Sequence, residues 1–363
     1  MINTRTQMNI AIATDKFQHS GGMERYVFDL VQGLLARQIT PQVFAMKSSA
    51  EFAALCPTHT LGQFPIAQLR YAVFNAKVQK RLPENHKLIA TSLVDNADIL
   101  ICGGNHLGFL QATKRKATIK DKMTIKRGIS AYATAKKIVA HSHLMKKELQ
   151  QFYHIDPKKI ITIYPPVNSE NFYPLSNEQR QQLRQKFGFK DNENILLFPS
   201  ANHQLKGLDL IIETVQSAQK DLHHPIKIAV CGKQAIQHPL IINLGFIKNM
   251  PELYNAVDFT VLASIYEAFG LVGVESVLCG TKTIFATTCG CTEVIKDSDG
   301  LFFNRMQPET LKNSLLLADK MKNNQQHKIN QPQAEILYNP TLPYHIDKLL
   351  EIIECNILYM LLH

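Results

Sequence analysis

Residues 8–37 read MNIAIATDKFQHSGGMERYVFDLVQGLLAR. Met8–Thr14 is a short apolar run that suits a strand buried on both faces. It leads into a loop that holds Gly21 and Gly22. From Glu24 to Arg37 the apolar residues Val27, Leu30, Val31, Leu34 and Leu35 recur at the spacing of one helix face. A buried strand, a glycine loop and an amphipathic helix are the opening of a βα unit, and the rest of the chain repeats it.

Gln42–Met46, Lys87–Ala90, Ile99–Cys102, Lys136–Ala140 and Lys159–Ile163 read as further short strands, the last stopped by Pro165 and Pro166. Ser142 stands where it can cap the helical run that follows Ala140. The pattern then restarts with a polar helix over Ser176–Phe187. Strands at Ile195–Phe198, Ile226–Cys231, Ile241–Phe246, Phe259–Ala263, Thr283–Ala286 and Leu301–Phe303 alternate with helices. Those helices cover Gly207–Gln219, Met250–Ala256, Gly270–Cys279 and Pro308–Met321, with Gly280 as a C-terminal cap. Such alternation predicts an α/β protein with mostly parallel sheets. Two rounds of it in 363 residues predict two domains, 1–168 and 169–342, joined near Pro165–Leu175. A closing helix over Tyr344–Leu362 fills 343–363. Its apolar end, ILYMLL, needs a partner surface, and packing back on the N-terminal domain is the expectation. Ligands of such sheets bind beyond the carboxyl ends of the strands, so a cleft between the two domains is the expected site.

Composition narrows the function. Hydrophobic residues make up 45% and charged residues 19%, which is globular and excludes a disordered or fibrous chain. Seven cysteines in a long chain point to free thiols in a reducing compartment. No apolar run approaches the roughly 20 residues that span a bilayer, so a cytoplasmic protein is expected. The net charge of +10 is uneven: residues 1–165 hold 23 Lys/Arg against 10 Asp/Glu, and residues 166–363 hold 17 against 20. The densest stretch, Thr113–Arg127 (TKRKATIKDKMTIKR), has seven basic residues against Asp121. It reads either as a solvated helix face or as a surface for a polyanion, such as an anionic headgroup or a phosphorylated substrate. No zinc-finger, helix-turn-helix or aromatic–glycine signature accompanies it, so nucleic acid is not an expected partner.

Five stretches are candidates for chemistry. Gly21-Gly22 opens the first helix, either as a tight turn or as a place where an anion meets free N–H groups. Its spacing is not GxGxxG, which argues against a nicotinamide dehydrogenase. Asn105-His106 follows a strand end, where a His can bond a sugar hydroxyl or serve the fold. Lys206-Gly207 lies between a strand and a helix and suits a phosphate, or is a solvated lysine beside a turn. Glu267–Glu275 (EAFGLVGVE) puts Glu275 on an otherwise apolar stretch, where a carboxylate needs hydrogen-bond donors. Either ribose or hexose hydroxyls or backbone N–H groups would serve. Cys289 and Cys291 form a CxC without a second pair and read as buried thiols, not a metal site.

In this order these stretches resemble the retaining glycosyltransferases of family 4, over nearly the whole chain. EAFGLVGVE resembles that family's E-x7-E signature and GGMERY its N-terminal glycine loop. VAHSHLMKKEL with KKIITIYPPVNSENFYP resembles the approach to the interdomain linker. LKGLDLII resembles the donor-side lysine motif, and TTCGCTEVIKDSDGLFF the Gly-Glu loop. The resemblance implies the GT-B fold, two Rossmann-like βαβ domains facing across a deep cleft. The N-terminal one would bind the acceptor and the C-terminal one the nucleotide sugar.

Carried over by position, Glu275 would hold the ribose, Glu267 the donor sugar and Lys206 the diphosphate. Phe269, Gly270 and Leu271 would line the phosphate pocket through their amides. Gly21 and Gly22 would approach the phosphate or acceptor, and His106 would stand by the reacting sugar. His106, Glu267 and Lys206 are then the expected catalytic set. The resemblance implies a nucleotide-sugar donor of a hexose, a UDP-sugar first, with no metal or other cofactor expected. The acceptor would be a glycan or glycolipid, as in lipopolysaccharide core synthesis, with Lys114–Arg127 the candidate contact to an anionic membrane surface. A capsule, exopolysaccharide or small soluble acceptor, or a non-catalytic nucleotide- or carbohydrate-binding role, are the alternatives. One departure stands out: the arginine that many members place six residues before, or directly before, the lysine is Ser200 or Leu205 here. His203 or Arg25 would have to compensate.

Overall fold

The structure, a computed structural model, describes residues 8–19, 21–66, 69–232 and 235–361, with side chains through Cys355. The chain divides into two compact units, Met1–Pro166 with Thr341–His363, and Val167–Pro340.

The first unit runs β1 (Asn9–Phe17), α1 (Gly22–Leu35), β2 (Gln42–Ser48), α2 (Ala50–Ala53), β3 (Thr58–Thr60), α3 (Arg70–Arg81) and β4 (His86–Ala90). It continues with β5 (Ile99–Cys102), α4 (His106–Thr113), α5 (Ile119–Thr134), β6 (Lys137–Ala140), α6 (His143–Tyr153) and β7 (Ile160–Thr162). All neighbouring strands are parallel, in the order β3-β2-β1-β4-β5-β6-β7. The central strands are apolar on both faces because helices cover both: Ile10, Ala11, Ile12 and Ala13 of β1 are all fully buried.

The second unit runs α7 (Asn177–Lys186), β8 (Asn194–Pro199), α8 (His203–Lys206), α9 (Leu208–Ala218), β9 (Ile226–Cys231), β10 (Ile241–Gly245) and α10 (Met250–Ala256). It ends with β11 (Phe259–Leu262), α11 (Leu271–Leu278), β12 (Lys282–Ala286), β13 (Gly300–Phe303) and α12 (Pro308–Asn323). Its parallel order is β10-β9-β8-β11-β12-β13. Each unit therefore winds outward from its first strand and then returns to that strand's other side. This reversal, between β1 and β4 and between β8 and β11, is where a doubly wound sheet opens a crevice for ligands.

Several elements lie outside the sequence reading, and their burial explains why. α3 buries only Phe74 and Val78. α5 buries Asp121, Gly128, Ala131 and Tyr132, so the basic run carries no apolar period. The Ser142 cap is present, its side chain accepting from Met145 N at 3.0 Å. Gly280 has φ +78°, the left-handed turn that stops α11.

α13 (Leu342–Leu361) returns to the first unit and packs on α1. A Cβ on Gly33 of α1 would stand 2.5 Å from Ile346 Cγ1, so glycine there lets the helices close. His345 Nε2 meets Tyr26 OH at 2.8 Å in the same interface. The side chains of the apolar end ILYMLL lie outside the described residues.

Candidate functional site

In the second unit, Lys206 and Glu267 follow the two strands that flank the reversal. Asn202 shapes the first loop by accepting from Leu205 N at 3.1 Å, which starts the single turn of α8. Lys206 therefore lies between the strand and the long helix, as the sequence suggested, but as the last residue of a short helix, α8, that the sequence reading did not contain. Gly207, at φ +76°, ends α8 and begins α9, and a Cβ there would stand 2.1 Å from Ala263 O. Only glycine fits.

Backbone hydrogen bonds lace this loop to its neighbours. Lys206 O accepts from Ala263 N at 3.1 Å and Leu205 O from Ile265 N at 2.8 Å. Further on, Glu267 O accepts from Gly290 N at 3.0 Å and Phe269 O from Cys291 N at 2.7 Å. The loops after β8, β11 and β12 thus form one frame. Within it Lys206 Nζ donates to Glu267 Oε2 in an ion pair, both side chains about four-fifths buried. Burial pushes the Lys206 pKa down from its ordinary value.

Gly270, at φ +91°, precedes α11, and a Cβ on it would meet Glu267 Cγ at 3.0 Å. The N-terminus of α11 at Leu271 therefore begins beside the ion pair, where its free N–H groups and dipole favour an anion. Phe269 itself is packing: its side chain is buried edge-on to Tyr338, and its carbonyl is taken by Cys291. Glu275 lies one turn along α11. Its Oε2 accepts from the phenol of Tyr254 at 2.8 Å. Tyr254 is fully buried, and burial first, then Glu275, raises its pKa well above the ordinary value. Nothing in MPELYNA signals this partner.

Cys289 and Cys291 are buried thiols pushed upward by burial, Cys289 to about 11. Their role is close packing: a Cβ on Gly273 would meet Cys291 Sγ at 2.7 Å. Among the described residues, no three His, Cys, Asp or Glu gather as a metal site. The arginine departure is structural as well. Ser200 is 6% exposed, and its carbonyl lies 2.0 Å from where a Cβ on Gly232 would stand. His203 is buried with its ring 6.0 Å from Phe198, so it is no surface cation, and Arg25 lies 3.9 Å from Asp29.

In the first unit, Gly21 and Gly22 open α1 without a side-chain cap. Glu24 folds back over this end: a Cβ on Gly21 would stand 3.1 Å from its Oε2, and Lys16 Nζ is 3.4 Å from its other oxygen. A ligand anion would compete with that carboxylate. His106 is the first residue of α4, held by the Asn105 cap, whose Oδ1 accepts from Gly108 N at 2.7 Å. Its Nε2 lies 2.7 Å from Asp121 Oδ1. Asp121 also accepts from both terminal nitrogens of Arg115 at 2.9 Å and from Thr118 N at 2.7 Å. These donors, Arg115 first, hold the Asp121 carboxyl well below the usual range.

The basic run is thereby divided. Arg115 is tied to Asp121, and Arg127 stacks over Tyr71 at 4.1 Å. The Tyr71 hydroxyl donates to Asp15 at the end of β1, at 2.8 Å. Lys114, Lys116, Lys120, Lys122 and Lys126 are exposed, alongside Ile119 at 78% and Ile129 at 52%. Among the described residues no helix is long and apolar enough to cross a membrane.

Two doubly wound parallel sheets, with an E-x7-E loop and a lysine at the reversal of the second, define a GT-B glycosyltransferase. Residues 20–171 match the family model for glycosyltransferase family 4, and residues 179–334 that for glycosyl transferases group 1. The chain belongs to this family of retaining glycosyltransferases, which act with a nucleotide-sugar donor. It is 36% identical over 354 residues to a probable transglycosylase of Burkholderia thailandensis, covering 95% of this chain and 96% of that one. Its fold is similar to that of WaaG, a glycosyltransferase involved in lipopolysaccharide biosynthesis. That match has a TM-score of 0.77 and 17% identity, over 92% of this chain and 97% of that one. It is also similar to Anabaena HepE, solved with UDP and glucose. There the TM-score is 0.70 and the identity 17%, over 96% of this chain and 99% of that one.

Proposed function

We propose that this chain moves a hexose from a UDP-sugar to a glycan acceptor in the synthesis of lipopolysaccharide core or another surface polysaccharide. The observation that carries the donor half is the Lys206–Glu267 pair beside the N-terminus of α11. Cleavage of the donor leaves negative charge on the diphosphate, and preorganised cations and N–H dipoles stabilise it most where water is excluded. Lys206 would turn part of its charge from Glu267 to the diphosphate, and Leu271 would offer its amide. Glu267 would take a hydroxyl of the donor sugar, and Glu275, steadied by Tyr254, the ribose hydroxyls. Retention follows from attack on the same face that the leaving group departs from. The leaving phosphate oxygen accepts the acceptor's proton, so no protein base is assigned. His106, Gly21 and Gly22 stand on the acceptor side, in the domain of residues 1–168.

The likeness to HepE, a protein solved with UDP and glucose, supports uridine as the base. The likeness to WaaG supports a surface-polysaccharide acceptor. The exposed lysines and isoleucines around α5 support peripheral contact with an anionic bilayer at its cytoplasmic face. Arg115 and Arg127, being tied inward, contribute little to that contact. A second reading, favoured by the name of the Burkholderia thailandensis relative and by a Lys206 already neutralised by Glu267, is transfer from a glycan donor.

The test incubates the protein with UDP-sugars and a panel of glycan acceptors, with product configuration read by proton NMR. An α-linked product from an α-configured UDP-sugar is expected. Transfer only between glycans, with every nucleotide sugar inert, would favour the second reading.

A further inference from the structure

We propose that Asp121 is a positioning residue that locks His106 as its Nε2–H tautomer, so that Nδ1 is offered to a sugar hydroxyl as a hydrogen-bond acceptor. The geometry comes from one crowded carboxylate. Asp121 is 5% exposed. Its Oδ2 accepts from Arg115 at 2.9 Å, from Thr118 N at 2.7 Å and from Thr118 Oγ1 at 2.6 Å. Its Oδ1 accepts from the other Arg115 nitrogen at 2.9 Å. A carboxylate so placed is ionised and can only accept. The His106 Nε2 contact at 2.7 Å on Oδ1 therefore needs the ring proton on Nε2. In the neutral imidazole the other nitrogen then carries a lone pair. Phe109, stacked 6.1 Å from His106, helps to fix the ring plane, and Arg115 lies 6.0 Å over that phenyl.

The His106 side chain is 25% exposed, so the ring is within reach of a ligand. A group that meets Nδ1 must bring a donor. That selects a hydroxyl and rejects a phosphate or carboxylate oxygen at this point. The proton on Nε2 follows from the structure alone; the use of Nδ1 as an acceptor on a sugar rests on the transferase reading above.

The experiment compares wild type with Asp121→Asn, using 15N-labelled histidine in alkaline buffer to read which ring nitrogen carries the proton. Three donors converge on Oδ2, so the single carbonyl of the asparagine is drawn there and its amide nitrogen faces Nε2. The ring should switch from Nε2–H to Nδ1–H. With the switch, kcat/KM for sugar transfer should fall at least tenfold while UDP affinity stays unchanged. A wild-type ring protonated on Nδ1 overturns the proposal. So does a switched ring with unchanged kcat/KM, and so does an equal loss of UDP affinity, which would make Asp121 merely structural. Thr118→Val removes the capping hydroxyl but keeps the carboxylate. It should lower stability and leave the Nε2–H tautomer in place; a switch there would also overturn the proposal. If wild type turns over no nucleotide sugar, the transferase reading fails, and the tautomer is still decided by the nitrogen shifts.

Discussion

The two units carry their candidate residues on the same kind of strand end but hold them differently. In Val167–Pro340 the loops after β8, β11 and β12 are joined by backbone hydrogen bonds, from Lys206 and Leu205 to Ala263 and Ile265, and from Glu267 and Phe269 to Gly290 and Cys291. In the first unit backbone bonds also join neighbouring strand ends, as from Thr91 N to Ala13 O and from His141 N to Cys102 O, but the candidate residue His106 and the basic segment beside it are held by side chains: Asp121 with His106 and Arg115, Asp15 with Tyr71, and Asn105 with Glu148. Backbone ties survive most substitutions, whereas side-chain ties change with each one.

Buried titratable groups sharpen the contrast most. The first unit buries His141 and His345 as neutral rings, burial pushing them from 6.5 down to about 3 and about 4. Among the described residues the second has one such ring, His327, pushed down to about 3. Below 6.5 the unfolded chain binds these protons and the folded one does not, so the stability they contribute is present above 6.5 and is lost as pH falls toward 4. Each ring contributes about 1.4 kcal/mol per pH unit in that window. Over two pH units the first unit should lose about 5 kcal/mol through them, and the second about half as much. Amide exchange followed down the pH scale checks this; equal losses in the two units would break the contrast.

Glycines probe the backbone frame. Gly207→Ala adds a Cβ 2.1 Å from Ala263 O at φ +76°, and should destabilise the second unit by roughly 3 kcal/mol in urea unfolding. Tyr254→Phe removes the donor to Glu275 and should cost about 1 kcal/mol of stability. Isothermal titration should also show UDP binding weakened several-fold. Gly22→Ala is the smallest change. Its Cβ would meet nothing within 4 Å, so stability should move by about 0.5 kcal/mol or less.

Much of this was legible beforehand because burial and chemistry coincide in the sequence. Apolar strands such as Ile226–Cys231 and Ile99–Cys102 announce themselves, and both have the bounds their residues suggest. Glu267, Gly270 and Glu275 are conspicuous because two carboxylates and a glycine interrupt an apolar run. What stayed hidden depends on partners distant in the chain. Tyr254 is unremarked until Glu275 is beside it. His106 reads as a lone histidine until Asp121, on a helix with no apolar period, closes on it. The short helix α8 that carries Lys206 went unread because Asn202 starts a turn too short to show a period.

The most direct test of the donor site is a binding titration of the protein against UDP, GDP and ADP, repeated on Lys206→Ala and Glu275→Ala. On the proposed reading, removing Lys206 would leave the Glu267 carboxylate unopposed beside the diphosphate, and removing Glu275 would leave the ribose without its acceptor. The account predicts that UDP binds and that each substitution weakens it at least tenfold, about 1.4 kcal/mol. Absence of nucleotide binding, or affinity unchanged in both variants, would contradict it.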